Sequence, residues 1–162
     1  MLPQQAGTPT VAAATFYAVN SRTVSRTLRH SDGAATLFAD VRFPAGSLAS
    51  LDGAPIGAGD SVRITVTPDA DTYGVTLSPA GLAFAAGARP TVTLSYVRYG
   101  DLEAGLDSPR YPDVLSYATA LDVWREVSVD RWAAAVGSGG TGSDAVSASL
   151  SGGGRYVAAA PR

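Results

Sequence analysis

The sequence predicts an all-β fold, an antiparallel β-sandwich of about eight to ten short strands. Three observations predict it. Apolar residues recur at every second position in several short runs, the runs are bounded by Gly and Pro, and no stretch carries a long helical period. The strongest stretch is residues 75–96, VTLSPAGLAFAAGARPTVTLSY. There Val75 and Leu77 share one face, Pro79 and Gly81 break the run, and Leu82 and Phe84 resume it. Gly87 and Pro90 break it again, after which Val92, Leu94 and Tyr96 alternate with Thr91, Thr93 and Ser95. Such alternation is the mark of a strand with one buried face.

Taken in order, residues 1–10 read as a flexible N-terminal arm, polar and Pro-bearing. Residues 11–162 read as one β-sandwich domain. Residues 11–19 (VAAATFYAV) form a first strand rich in β-favouring side chains. Asp32-Gly33 is a tight-turn pair between two strands. The strand before it has the polar face Ser21, Thr23, Ser25, Thr27, Arg29 and so reads as an edge, where charge discourages pairing between sheets. The strand after it ends at Pro44 and Gly46, and residues 47–60 are loop-like. In residues 61–67, Val62, Ile64 and Val66 face inward. Residues 97–112 form a long Gly-, Asp-, Pro- and Tyr-rich connection. Residues 117–124 are expected as a strand, continuing through Glu126 to Trp132 as a hairpin. Residues 137–143 are a flexible Gly/Ser segment, and 146–150 and 156–159 are the last two strands.

Bulk composition excludes several functions. With no Cys there are no disulfides and no thiolate metal sites. The net charge is -2 with 16% charged residues, so the chain lacks the basic face of a nucleic-acid binder. Every basic side chain is Arg, a usage typical of a GC-rich bacterial genome. No run approaches the roughly 20 apolar residues of a membrane span. The opening MLPQQAGTPT has no apolar signal core. The Thr/Ser/Gly/Ala-rich surface nonetheless suggests an exported protein (periplasmic, cell-surface or extracellular) whose signal sequence is absent from this chain.

Four stretches resemble one family. RFPAGSL (42–48), LSPAGLAFAAGARPTVTLSY (77–96), LDVWREVSVDRW (121–132) and VSASLSGGGRYVAA (146–159) are similar, in order, to motifs of the β-sandwich module found in zonula-occludens proteins, netrin receptors and ankyrins. The resemblance spans roughly residues 33–160 and implies a sandwich used for interaction. Some family members cleave themselves at a His-Phe-Ser triplet before the last strand. Here the corresponding positions are Gly152, Gly153 and Gly154, so the resemblance implies a relative without that activity.

Sharper chemical readings find less support. Gly137-x-Gly139-x-x-Gly142 matches a dinucleotide fingerprint by letter, but a strand-like segment follows it where a helix is required. His30 is the sole histidine and sits beside Asp32-Gly33, as a solvated turn neighbour would. Asp101, Glu103 and Asp107 are spaced like part of a calcium loop, but the closing bidentate Glu is missing, which argues against calcium. Only Glu103 and Glu126 are glutamates, and nothing around them marks a glycosidase pair. Six aromatics, Tyr96, Tyr99, Tyr111, Tyr117, Trp124 and Trp132, form either core or a sugar-stacking patch. The loop residues Arg98, Tyr99, Arg110 and Tyr111 are the best contact surface, because binding residues concentrate on loops held by rigid sheets. The expectation is therefore a non-catalytic module with no cofactor. It would meet a protein partner, or a second copy of itself, through loops or a sheet edge. A carbohydrate-binding module is the alternative.

Overall fold

Two apolar faces, one from each of two sheets, meet in a single core. A computed structural model of the chain describes residues 1–141 and 144–161. The strands are β1 (Ala14–Val19), β2 (Val24–Arg29), β3 (Leu37–Phe43), β4 (Leu48–Leu51), β5 (Ala54–Pro55), β6 (Ser61–Pro68), β7 (Gly74–Ser78), β8 (Leu82–Phe84), β9 (Thr91–Ser95), β10 (Asp122–Ser128), β11 (Arg131–Ala134), β12 (Val136–Gly140), β13 (Ala145–Ser149) and β14 (Gly154–Ala159). A 3-10 turn (Glu103–Asp107) and a short helix α1 (Val114–Thr119) interrupt them. One sheet has the order β1-β6-β7-β14-β10-β11 and the other β12-β13-β9-β3-β2, with a small sheet β5-β4-β8 beside them. All pairings between named strands are antiparallel, as an all-β sandwich requires.

The alternation read in the sequence lines up across strands. Val66 lies opposite Ala14 on one side and Leu77 on the other, while Leu94 lies between Ala39 and Val146. Ile64, Val66, Val75, Val92, Leu94 and Val146 are fully buried. Each such side chain contributes about 1.5–3 kcal/mol by leaving water. Phe16 of one sheet meets Phe43 of the other edge-on, with ring centroids 5.6 Å apart. The polar strand β2 is an edge, as its pattern predicts.

Five local readings change. The N-terminal segment is not a loose arm. Leu2 is fully buried, its N–H donates to the Ala158 carbonyl (2.7 Å), and its own carbonyl accepts from the Tyr73 N–H (3.0 Å). The Gln4 amide reaches the carbonyls of Asp69, Ala70 and Thr72. Within 47–60, β4 and β5 form a two-residue hairpin at Asp52-Gly53, whose φ values of 50° and 82° suit a primed turn. Asp32-Gly33 is not that kind of turn. Residues 30–36 form a wider connection, in which Asp32 accepts hydrogen bonds from the Thr36 N–H (2.8 Å) and hydroxyl. The expected strand at 117–124 divides into α1 and β10. Asp113 caps α1 by accepting from the Ser116 N–H (2.7 Å), and Ser116 Oγ accepts from the Asp113 N–H (3.3 Å), a reciprocal box that outweighs the period-two pattern. In the Gly/Ser segment, Val136–Gly140 pairs with β13 as an edge strand, while Gly142 and Ser143 lie outside the described residues. None of the described helices is long and apolar enough to cross a membrane, which says nothing about strands.

Candidate functional site

The four expected contact residues divide into two pairs with different surroundings. Arg98 and Tyr99 join the β2–β3 connection. The Tyr99 hydroxyl donates to Asp32 Oδ2 (2.9 Å), and the Arg98 guanidinium lies 3.4 Å from the same oxygen and 5.4 Å from the Tyr99 ring centroid. Tyr111 is buried. Its ring meets Tyr117 edge-on at 5.3 Å, and its hydroxyl donates to the Pro161 carbonyl. Arg110, next to it, is exposed. Tyr111 is thus held inside the fold, while Arg98 remains open to solvent.

Beneath Tyr99 lies His30, and here the solvated-turn reading is corrected. His30 is only 2% exposed and sits among Phe38, Tyr73 and Tyr99, with Tyr99 nearest at 4.7 Å between centroids. Its Nδ1 is 2.9 Å from the Pro9 carbonyl oxygen, which can only accept, so Nδ1 carries the proton. Nε2 is buried and has no polar partner among the described residues. The docked N-terminal strap supplies Pro9, so the burial of His30 and the strap have a common cause. A histidine sealed in this way reaches neither a serine nor an acid in a cleft.

Asp32 carries the electrostatics of this cluster. Its hydrogen bonds from the Thr36 hydroxyl and N–H and from Tyr99, together with the Arg98 charge, lower its pKa from 3.8 to about 2. Burial and the hydrogen bond to Asp32 push the Tyr99 hydroxyl up in turn. The folded value lies below the unfolded one, so the stabilisation is complete above about pH 3.8 and is lost as pH falls through about 2. Melting temperatures of the wild-type chain and Asp32→Asn should therefore differ at pH 6 and converge on acidification to about pH 2. A constant gap across that range would show that the carboxylate charge is not what stabilises the connection.

A second site lies on the outer face of the six-stranded sheet. The β10–β11 hairpin sets Glu126 opposite Trp132, and β10 pairs with β14 so that Trp124 lies opposite Val157. Opposed residues share a face, so both tryptophans and Val157 point outward together. They line a half-open cleft of about 340 Å³ with Met1, Ala159 and Pro161. Trp124 Nε1–H donates to the Ala159 carbonyl (3.0 Å), which fixes that ring. The Arg155 guanidinium lies 5.4 Å from the Trp132 centroid and donates twice to Asp69 Oδ2 (3.0 and 2.8 Å), with Glu126 at 4.0 Å. The hydrogen bonds to Asp69 raise the Arg155 pKa further and hold its charge. At the tip of the same hairpin, Val127 and Val129 stand 54% and 84% exposed.

The structure therefore selects Trp124 and Trp132 from the six candidate aromatics and buries Tyr96, Tyr111 and Tyr117. Sequence reasoning missed Arg155 and the two valines. The turn-flanking run Val127-Ser-Val129 was the one available signal. Among the described residues, no group of three or more His or acidic side chains is placed to hold a metal ion. Asp101, from the calcium-like spacing, instead accepts the Ala104 N–H (3.2 Å). Gly152 and Gly153 pack against β8 and the turn before it: the Gly153 N–H donates to the Leu82 carbonyl (2.8 Å), and its carbonyl accepts from Arg125 (3.0 Å). Comparison of the chain with protein-family models, curated proteins and solved structures finds no significant match in any of the three.

Proposed function

We propose that the chain is a non-catalytic β-sandwich module of an exported bacterial protein, which binds a protein partner at the end of the six-stranded sheet. The observation that carries this reading is the exposed apolar hairpin beside the tryptophan cleft. Val127 and Val129 stand exposed at the tip of the hairpin whose second strand carries Trp132, and large apolar side chains exposed close together mark interaction sites. Aromatic anchors in a shallow apolar groove suit an extended peptide segment, whose side chains enter the cleft while its backbone lies along the sheet end. The similarity in sequence to interaction modules of zonula-occludens proteins, netrin receptors and ankyrins supports the same reading. So does the sealed position of the only histidine, which leaves the site without an imidazole base.

Carbohydrate binding is the second reading, favoured by the pairing of Trp124 with Trp132 in one cleft. One experiment separates the two. Display of random extended peptides against the full chain should enrich apolar ligands, and Trp132→Ala or Val129→Asp should abolish their binding. A saccharide panel that quenches tryptophan fluorescence, with no peptide enriched, would establish the second reading instead. Ligands of either kind that bind equally well to Trp132→Ala would sink both.

A further inference from the structure

The four edges of the two large sheets are not protected alike. Edge β2 carries Arg26 and Arg29 and a register shift against β3. Edge β11 has four residues, begins with Arg131 and pairs through a shift. Edge β12 reads VGSGG and is also shifted against its neighbour. Charge, shortness, glycine and bulges are the usual devices that prevent a sheet from recruiting another strand. Edge β1 has none of them in its own residues, and a charge reaches it from Arg26 of β2, whose guanidinium lies 4.9 Å from the Phe16 ring centroid. The β1 sequence ATFYAV contains no charge, no Pro and no Gly, and it pairs with β6 in unbroken register from Ala14–Val66 to Val19–Ser61. Among the described residues, its other side meets no strand of its own sheet.

We infer that β1 pairs antiparallel with β1 of a second copy, joining two six-stranded sheets across a twofold axis. The strand suits itself as a partner. Phe16 and Ala18 face the core while Thr15 and Tyr17 face solvent, Tyr17 at 61% exposure. Pairing that keeps inner residues inside allows two registers, with Phe16 opposite Phe16 or Tyr17 opposite Tyr17 of the other copy. Both set aromatic or β-branched side chains across from one another, the cross-strand pairs that stabilise a sheet. Neither sets charge against charge on β1, since the strand has none. A twofold contact of this kind closes on itself, so it yields a dimer and not a filament. Because β1 lies at the far end of the sheet from the tryptophan cleft, this inference does not rest on the binding function proposed above.

Light scattering of the full chain from low to high micromolar concentration should show the mass rise from 16.4 kDa to twice that value. Tyr17→Lys puts like charges across the axis and should hold the mass at that of the monomer, with the melting temperature at low concentration unchanged. The chain has no cysteine of its own, so the double variant Thr15→Cys, Tyr17→Cys reports on the contact directly. On oxidation it should give a covalent dimer in either register, since directly opposed antiparallel residues lie within disulfide reach. A wild-type mass that stays at the monomer throughout would overturn the inference. So would a dimer that dissociates in Trp132→Ala but persists in Tyr17→Lys without cross-linking, which would move the contact to the opposite edge.

Discussion

Replacing Leu2 by Ala should lower the unfolding free energy by about 3 kcal/mol, as large-to-small changes at well-packed core positions do. For a chain of this size that corresponds to a fall in melting temperature of roughly 6–12 °C. The side chain of Leu2 is fully buried, and the backbone on either side of it is fastened: Leu2 to Ala158 and Tyr73, Gln4 to Asp71, Gln5 to Tyr99. These bonds keep the strap in place when the side chain is cut back, so the cavity cannot collapse fully. A loose arm gives the opposite result, a change within about 0.5 kcal/mol, because truncating a solvated residue removes nothing that folding had buried. Urea titration of the two chains at neutral pH decides between them. Each transient opening of the strap withdraws the Pro9 carbonyl from His30 Nδ1, leaving a buried donor unpaired. Leu2→Ala leaves the strap docked but less stable, so such openings become more frequent and hydrogen exchange should rise at His30 as well as at the strap.

That strap shows where sequence reading stops. Leu2 is one apolar residue in a polar segment, and its partners Tyr73 and Ala158 are far away in the chain, so no local periodicity announces it. The same holds for Arg155 and Asp69, which are 86 residues apart. The strands were legible because burial on one face writes period two into a contiguous run, as in Val62, Ile64 and Val66 or Val92 and Leu94. Two local signals were present and lost to competing ones. Asp52-Gly53 is a hairpin pair, hidden among other glycines and prolines. Asp113 and Ser116 form a capping box, but Tyr117, Thr119, Leu121 and Val123 alternate behind it like a strand. In the candidate site, the tryptophans could be named from sequence. Their shared face could not, because it depends on the hairpin register and on Val157 lying opposite Trp124.

Gly153→Ala should be nearly as damaging as the loss of Leu2, at about 2–3 kcal/mol, because there is no room for one more methyl. A Cβ on Gly153 would land on the Pro79 carbonyl oxygen and within 2.9 Å of the Ala80 Cα, both of them backbone atoms that no side-chain rotation can move aside. One on Gly152 would come within 2.7 Å of the Leu82 carbonyl oxygen and 3.2 Å of an Arg125 guanidinium nitrogen. Relief by shifting the 152–154 segment would stretch the hydrogen bonds that tie it down: Gly153 N–H to Leu82, Arg125 to the Gly153 carbonyl, and the Tyr156 hydroxyl to both the carbonyl and the N–H of Gly152. Gly59→Ala is the matched control. Nothing lies within 4 Å of its Cβ position, so its melting temperature should stay close to that of the wild type. Equal melting temperatures for Gly153→Ala and Gly59→Ala would refute the packing argument. The same geometry bears on the positions that, under the resemblance to the zonula-occludens and netrin-receptor module, would correspond to a His-Phe-Ser triplet. Gly154 sits at φ 115°, a backbone conformation that side chains rarely adopt, and its two predecessors are pressed against backbone. Writing that triplet into residues 152–154 should therefore yield an unstable chain and no cleavage product on a gel, because the side chains at 152 and 153 would have to occupy volume that β8 and the turn before it already fill, and the one at 154 would sit on a backbone conformation that side chains rarely adopt.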